Sequence, residues 1–230
     1  MTESASTQPA APPALLALRG VDLDVNEALY FHDVNLEIRS GESVGLVVPR
    51  ARTTLLLVAA GLRRPDSGSV LLNGAPIESA YRDLAHEAST GFVFEGGGLL
   101  ENTTVADNIA LPLRYHTSLP EAVIADRVRS ALVEVGLTEE AARFPYQIPR
   151  GQQRLASLAR ALAIEPALVY VDDLHHGATV EIWQLFVGAM DRARSRGNTA
   201  FLSSLAIADS PPPGVDRLVH VTAEVRASRV

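Results

Sequence analysis

Short apolar runs alternate with helical segments along most of this chain, and that alternation constrains the fold more than any other feature. Residues 43–48 form a mostly apolar run of the kind found in fully buried strands. A loop over 50–54 and a helix over 54–62 follow, ended by Arg63-Arg64-Pro65-Asp66-Ser67-Gly68. Residues 70–74 read as a strand and turn, 91–94 as a further strand, 182–194 as a helix and 199–203 as a strand. Between them, residues 168–171 form a buried strand that ends in the carboxylates of Asp172 and Asp173. Strands alternating with helices predict an α/β fold with a largely parallel sheet. Two elaborations are expected. One is a β-rich start, where 15–18 and 34–38 partly alternate apolar and polar residues. The other is a helical stretch from about 104 to 163. Within it Leu119-Pro120-Glu121 opens one helix, and a second carries Leu155, Leu158, Ala159 and Leu162 at helical spacing.

Composition narrows the classes of function. The chain of 230 residues carries 20 basic and 27 acidic side chains, a net charge of −7, which argues against a nucleic-acid binder. It has no cysteine, so disulfides and thiolate metal sites are excluded. Its longest wholly apolar run, residues 55–60, is far short of the ~20 residues a membrane span needs. The first 14 residues are polar and rich in Pro and Ala, without the pattern of a signal peptide, and are expected to form a disordered tail. The expected location is cytoplasmic, with membrane contact made only through a partner.

All 20 basic residues are arginine; the chain contains no lysine. This bears on the loop after the first buried strand, Val48-Pro49-Arg50-Ala51-Arg52-Thr53-Thr54. A phosphate-binding P-loop uses glycines to turn backbone N–H groups inward and a lysine to reach the terminal phosphates. Here the glycines and the lysine are missing.

The order of segments resembles the nucleotide-binding domain of ABC transporters over about residues 15–222. SGESVGLV followed by TTLLLVAAGLRRPDSGSVLLNG is similar to the P-loop strand, its helix and the next hairpin. GFVFEGGGLLENTTVADNIALPLR is similar to the Q-loop segment, and YQIPRGQQRLASLARALAIEPALVYVDD to the signature helix leading into the Walker B strand. Within the family the segment starting at Phe94 most resembles the ATPases of Mla/Mce-type lipid transporters. The resemblance implies a P-loop NTPase fold of the RecA-like type: a core with a parallel sheet, an N-terminal antiparallel β region, a helical lobe at about 104–163, and a C-terminal tail over 223–230.

By the same resemblance, Arg52, Thr53 and Thr54 stand in the nucleotide-binding P-loop, and Gly151 and Gln152 in the signature. Asp172 matches the Walker B aspartate and, with Thr53, is a weak Mg²⁺ candidate. Asp173 replaces the glutamate that orients the attacking water, and Glu95 the Q-loop glutamine. Thr179, Leu205 and Val25 fall at the D-loop aspartate, the switch histidine and the adenine-stacking aromatic. Every catalytic motif thus departs from the family pattern. The expectation is a catalytically silent subunit with no required cofactor, retaining at most weak Mg-ATP binding. It would form a homodimer, or a heterodimer with another ABC ATPase, docked on a permease through Leu99 and Leu100. Two alternatives stand beside this: a working ATPase in which Arg52 and Asp173 substitute for the usual lysine and glutamate, and a nucleotide or anion sensor that does not hydrolyse. Arg50 and Arg52 read either as phosphate contacts or as solvated loop arginines, His175 and His176 as ordinary loop histidines, and Gly96–Gly98 as a hinge or a flexible loop.

Overall fold

A computed structural model describes residues 14–80, 90–176 and 178–225. The expected N-terminal tail, save Ala14, lies outside these. Two sheets form the frame among the described residues. The first is antiparallel and is built from β1 (Leu16–Asp24), β2 (Leu29–Ile38), β4 (Ser67–Leu72), β5 (Ala75–Pro76) and β10 (Glu224–Val225), in the order β10-β2-β1-β4-β5. The second is parallel, with β3 (Ser43–Val47), β6 (Thr90–Val93), β7 (Leu168–Val171), β8 (Ala200–Leu205) and β9 (Arg217–His220) in the order β6-β7-β8-β3-β9. Strands β3, β7 and β8 are buried at every position, which is why they read as continuous apolar runs in the sequence.

The helices fill the remaining space. Helix α1 (Arg52–Ala59) buries Leu55, Leu56, Val58 and Ala59 in the apolar cluster that joins the two sheets, and Ala59 O accepts a hydrogen bond from the buried Tyr170 hydroxyl at 2.9 Å. It is followed later in the chain by the short α2 (Ile77–Ala80). The stretch from 105 to 162 is helical: α3 (Val105–His116), α4 (Glu121–Glu134), a 3₁₀ turn (Pro145–Gln147) and α5 (Arg150–Leu162). Helix α6 (Val180–Gly197) packs on α5 and shares its apolar cluster.

The structure differs from the sequence expectation at element ends and edges. Helix α1 starts two residues earlier than the apolar run suggested, because Arg52 and Thr53 are held by carboxylates across the site. Thr179 caps α6 by accepting from the Ile182 N–H, and Asn198, in left-handed conformation, ends it. The segment read as a C-terminal tail pairs with β2 through Glu224 and Val225. At the crossing of β1 and β4, Gly68 has φ +81°, and a Cβ there would fall 2.2 Å from the Gly20 carbonyl oxygen.

One buried polar residue fixes the segment after β6. Asn108 on α3 is fully buried; its amide accepts from Leu100 N–H at 2.8 Å and donates to the carbonyl of Leu100 and the hydroxyl of Thr103. Asn108→Ala removes these bonds and leaves the Leu100 N–H without its acceptor, while the Leu100 carbonyl keeps Thr103. An orphaned polar group costs ~1–3 kcal/mol, so a loss of about that size is expected in urea unfolding. An unchanged midpoint would show that the bonds carry no net stability.

Candidate functional site

Because β3, β6, β7 and β8 run parallel, the segments that leave their C-terminal ends emerge on one edge of the sheet, where α/β proteins place their ligands. Four pieces meet there: the loop from Val48 to α1, Glu95 beyond β6, Asp172 and Asp173 at the end of β7, and Ser204 at the end of β8.

The loop after β3 turns through Ala51 at φ 57°, a left-handed conformation that glycine adopts without strain and alanine does not. Ala51 is the N-cap of α1 and provides no side-chain cap. Arg52, the first helical residue, reaches across the edge. One guanidinium nitrogen lies 2.7 Å from Asp173 Oδ2 and 4.0 Å from Glu95 Oε2. The reading of Arg52 as a solvated loop residue does not fit, since its side chain is only 24% exposed and is tied into this cluster. Arg50 alone is an exposed loop arginine.

Beneath that pair lies a second set, centred on the buried Asp172 and Ser204. The Thr53 hydroxyl donates to the Asp172 carboxylate, with its oxygens at 2.9 and 3.1 Å. Ser204 Oγ donates to Asp172 Oδ1 at 3.0 Å and accepts from the Asp173 N–H. Asp172 is 2% exposed, so these hydroxyls replace the water its charge would otherwise require.

The turn after β7 is locked from below by Arg154 of α5. Its guanidinium donates to the carbonyl oxygens of Asp172, Asp173 and His176 at 3.1, 2.7 and 2.7 Å, and it lies over the Phe186 ring. Burial pulls its pKa down, while the charges of Asp173, Asp172 and Glu95 oppose that shift. The turn in turn aims His176, whose Nδ1 is 3.1 Å from Glu95 Oε1 and 3.6 Å from Asp173 Oδ2. The neighbouring His175 instead packs on Trp183, and burial lowers its pKa.

The structure therefore brings together Arg52, Thr53, Glu95, Asp172 and Asp173, and adds His176, expected to be an ordinary loop histidine, and Arg154, which sequence reading passed over. Thr54 follows them on α1. Gly151 and Gln152 sit at the start of α5 in the helical lobe, where Gln152 donates to Glu140 at 3.2 Å. Leu205 is buried at the end of β8 and Val25 packs on the antiparallel sheet, so neither offers an imidazole or an aromatic ring. Of the two residues expected at a partner surface, Leu100 is 45% exposed, whereas Leu99 packs against the lobe core.

These residues fit a Mg-nucleotide only in part. Thr53 and Asp172 set oxygen donors side by side, as a hard divalent cation requires. The first turn of α1 also leaves backbone N–H groups without intrahelical acceptors. The terminal-phosphate position does not fit. The loop carries side chains where a phosphate cradle needs glycine. The guanidinium of Arg52 spans the gap between α1 and the end of β7, closed by its own carboxylate partner. Asp173, the residue standing for the water-orienting carboxylate, is engaged by that same guanidinium.

Comparison with known proteins agrees with this architecture. A family model described as ABC transporter matches residues 31–175. The sulfate/thiosulfate import ATP-binding protein CysA 1 of Agrobacterium fabrum is 40% identical over 147 residues, covering 62% of this chain and 42% of that protein. The intermembrane phospholipid transport system ATP-binding protein MlaF of Haemophilus influenzae is 31% identical over 163 residues, covering 69% of this chain and 62% of that protein. Among solved structures, a dimeric bacterial ABC transporter cassette superposes with TM-score 0.78 at 21% identity, covering 91% of this chain and 98% of that one. The protein cbiO1 of Clostridium perfringens does so with TM-score 0.77 at 18% identity, covering 93% and 87%. The phospholipid-transport relative is thus one among several. With more than half of its length matched by the family model and its fold shared with solved cassettes, this chain belongs to the ABC transporter family and carries that family's ATP-binding-cassette fold.

Proposed function

We propose that this chain is a catalytically silent cassette subunit that docks on a membrane permease and acts there as scaffold or regulator. The observation that carries the reading is the Arg52–Asp173 pair at 2.7 Å. Phosphoryl transfer depends on positioning and on neutralising charge at the terminal phosphate. Here the side chain nearest that position is a guanidinium already neutralised within the protein, and the carboxylate that would orient water is its partner. In a head-to-tail homodimer, each composite site would pair this loop with a signature segment that lacks its serine; beside an intact ATPase, one site would take this loop and the other this signature. Neither a homodimer nor a heterodimer with an intact ATPase then contains a complete site built on this chain.

No described helix is long and apolar enough to cross a membrane, so a cytoplasmic, peripheral position held by a permease is the fitting one. For cargo we favour phospholipid, supported by the resemblance of the segment from Phe94 onward to the Mla/Mce-type ATPases and by the likeness to MlaF.

The test is phosphate release from Mg-ATP by the purified chain. None is expected. Mg-dependent release that Asp172→Asn abolishes would overturn the reading and support a working ATPase. Arg52→Lys alone is expected to restore nothing, because residues that act as a unit do not recover one at a time. A specific feature, the Thr53–Asp172 oxygen pair, favours residual Mg-ATP binding without hydrolysis; thermal unfolding with and without Mg-ATP measures it.

A further inference from the structure

The cluster above Asp172 has a second property, independent of nucleotide. Glu95, Asp173 and His176 each present one donor atom, all within 4.8 Å of one another. His176 Nδ1 already lies 3.1 Å from Glu95 Oε1 and 3.6 Å from Asp173 Oδ2. Ligands bound tetrahedrally at ~2.0–2.2 Å sit roughly 3.3–3.6 Å apart, so two edges of a ligand triangle are close to formed. We propose that these three residues bind a divalent transition-metal ion of the zinc type, without nucleotide, in competition with the Arg52 guanidinium.

The donor set selects the class of ion. One imidazole with two carboxylates suits zinc and its neighbours, whereas calcium and magnesium prefer oxygen alone. Two of the three donors are pre-positioned: Arg154 holds the carbonyl oxygens of both Asp173 and His176, so the turn carrying them is braced from the core.

Arg52 and the charge balance of the cluster both favour a cation there. The cluster already holds a cation, the Arg52 guanidinium. Glu95, Asp172 and Asp173 carry three negative charges against two on Arg52 and Arg154. Exchanging the guanidinium for a dication balances the three carboxylates with Arg154 in place. Arg52 can leave at modest cost, because its Nε is buried without a hydrogen-bond partner while part of the side chain already meets solvent. Water would complete the metal's shell. The ion needs no phosphate, which separates this site from the Thr53–Asp172 pair below it.

The experiment uses the full chain, stripped with chelator and free of nucleotide, titrated with cobalt(II) chloride alone and read by visible absorption. A saturable one-to-one complex, displaced by zinc chloride, is expected. His176→Ala should weaken it by more than the ~10–100-fold that loss of an outer-sphere partner causes. Glu95→Gln, at a side chain 41% exposed, should weaken it too and provides the same reading if His176→Ala fails to fold. Arg52→Gln should tighten binding by about tenfold or more, since it removes the competing charge. His32→Ala, which removes a second His–carboxylate pair, His32–Asp22 at 2.8 Å on the antiparallel sheet, should change nothing. A spectrum that stays that of aqueous cobalt overturns the proposal. So does binding that survives both His176→Ala and Glu95→Gln but is lost with His32→Ala. Because no nucleotide is present, this result and the phosphate-release result fail independently.

Discussion

Arg154→Ala is expected to destabilise the protein by roughly 3–5 kcal/mol, the size seen when a buried charged partner is removed. Arg154 is 3% exposed, and its guanidinium supplies donors to three carbonyl oxygens of the turn after β7. Truncation strips those carbonyls of the guanidinium donors, leaving Asp173 O only the His176 N–H, and opens a cavity beneath Phe186; the two costs act in the same direction. Three carboxylates also lose a compensating charge. The denaturant midpoint should fall accordingly, and amide exchange at Leu174 and His176 should accelerate beyond the global change. Arg154→Met separates the effects: it keeps much of the packing volume and loses the donors. If Arg154→Met matches wild type in stability, the carbonyl bonds contribute nothing net and the account of the turn as braced from α5 fails.

Arg154 also shows where sequence reading stops. At the polar start of an amphipathic helix, an arginine reads as solvated. It is buried here because a turn some twenty residues further on folds its carbonyls onto the guanidinium. The Arg52–Asp173 pair is more remote still, separated by 121 positions, and no local pattern could join its members. His176 looked like half of an idle histidine pair until the fold set Glu95 beside it. What was legible is what is periodic or ordered along the chain. Strands β3, β7 and β8 could be read because both their faces are buried, and the lobe because its helices carry one apolar stripe. The short edge strands β9 and β10 escaped notice because they are half-exposed or exposed and carry no such pattern. The family motifs fixed which residues would meet at the sheet edge. They could not say that the meeting residues would neutralise one another.

Leu99 packs against the lobe core, so Leu99→Asp would damage the fold as well as any contact, and cannot report on docking. The exposed apolar residues nearby are Leu100, held to α3 through Asn108, with Leu111 and Tyr115 on α3 itself; they are 45%, 43% and 75% exposed. Leu111 and Tyr115 are four residues apart and share a helix face. At the end of that helix Arg114 bridges Asp107 and Glu121, which fixes α3 against the start of α4 and keeps the face in place. If this chain docks on a permease, these side chains are the apolar anchors, each worth ~2 kcal/mol or more when fully buried by the partner. Leu100→Asp with Leu111→Asp should then weaken association by at least about 30-fold for each anchor lost and release the chain from permease-containing membranes. Both side chains already meet solvent, so unfolding midpoints should stay close to wild type. A double variant that folds and remains bound would remove this face from the interface, and a wild-type chain that never co-purifies with a permease would remove the docking role altogether.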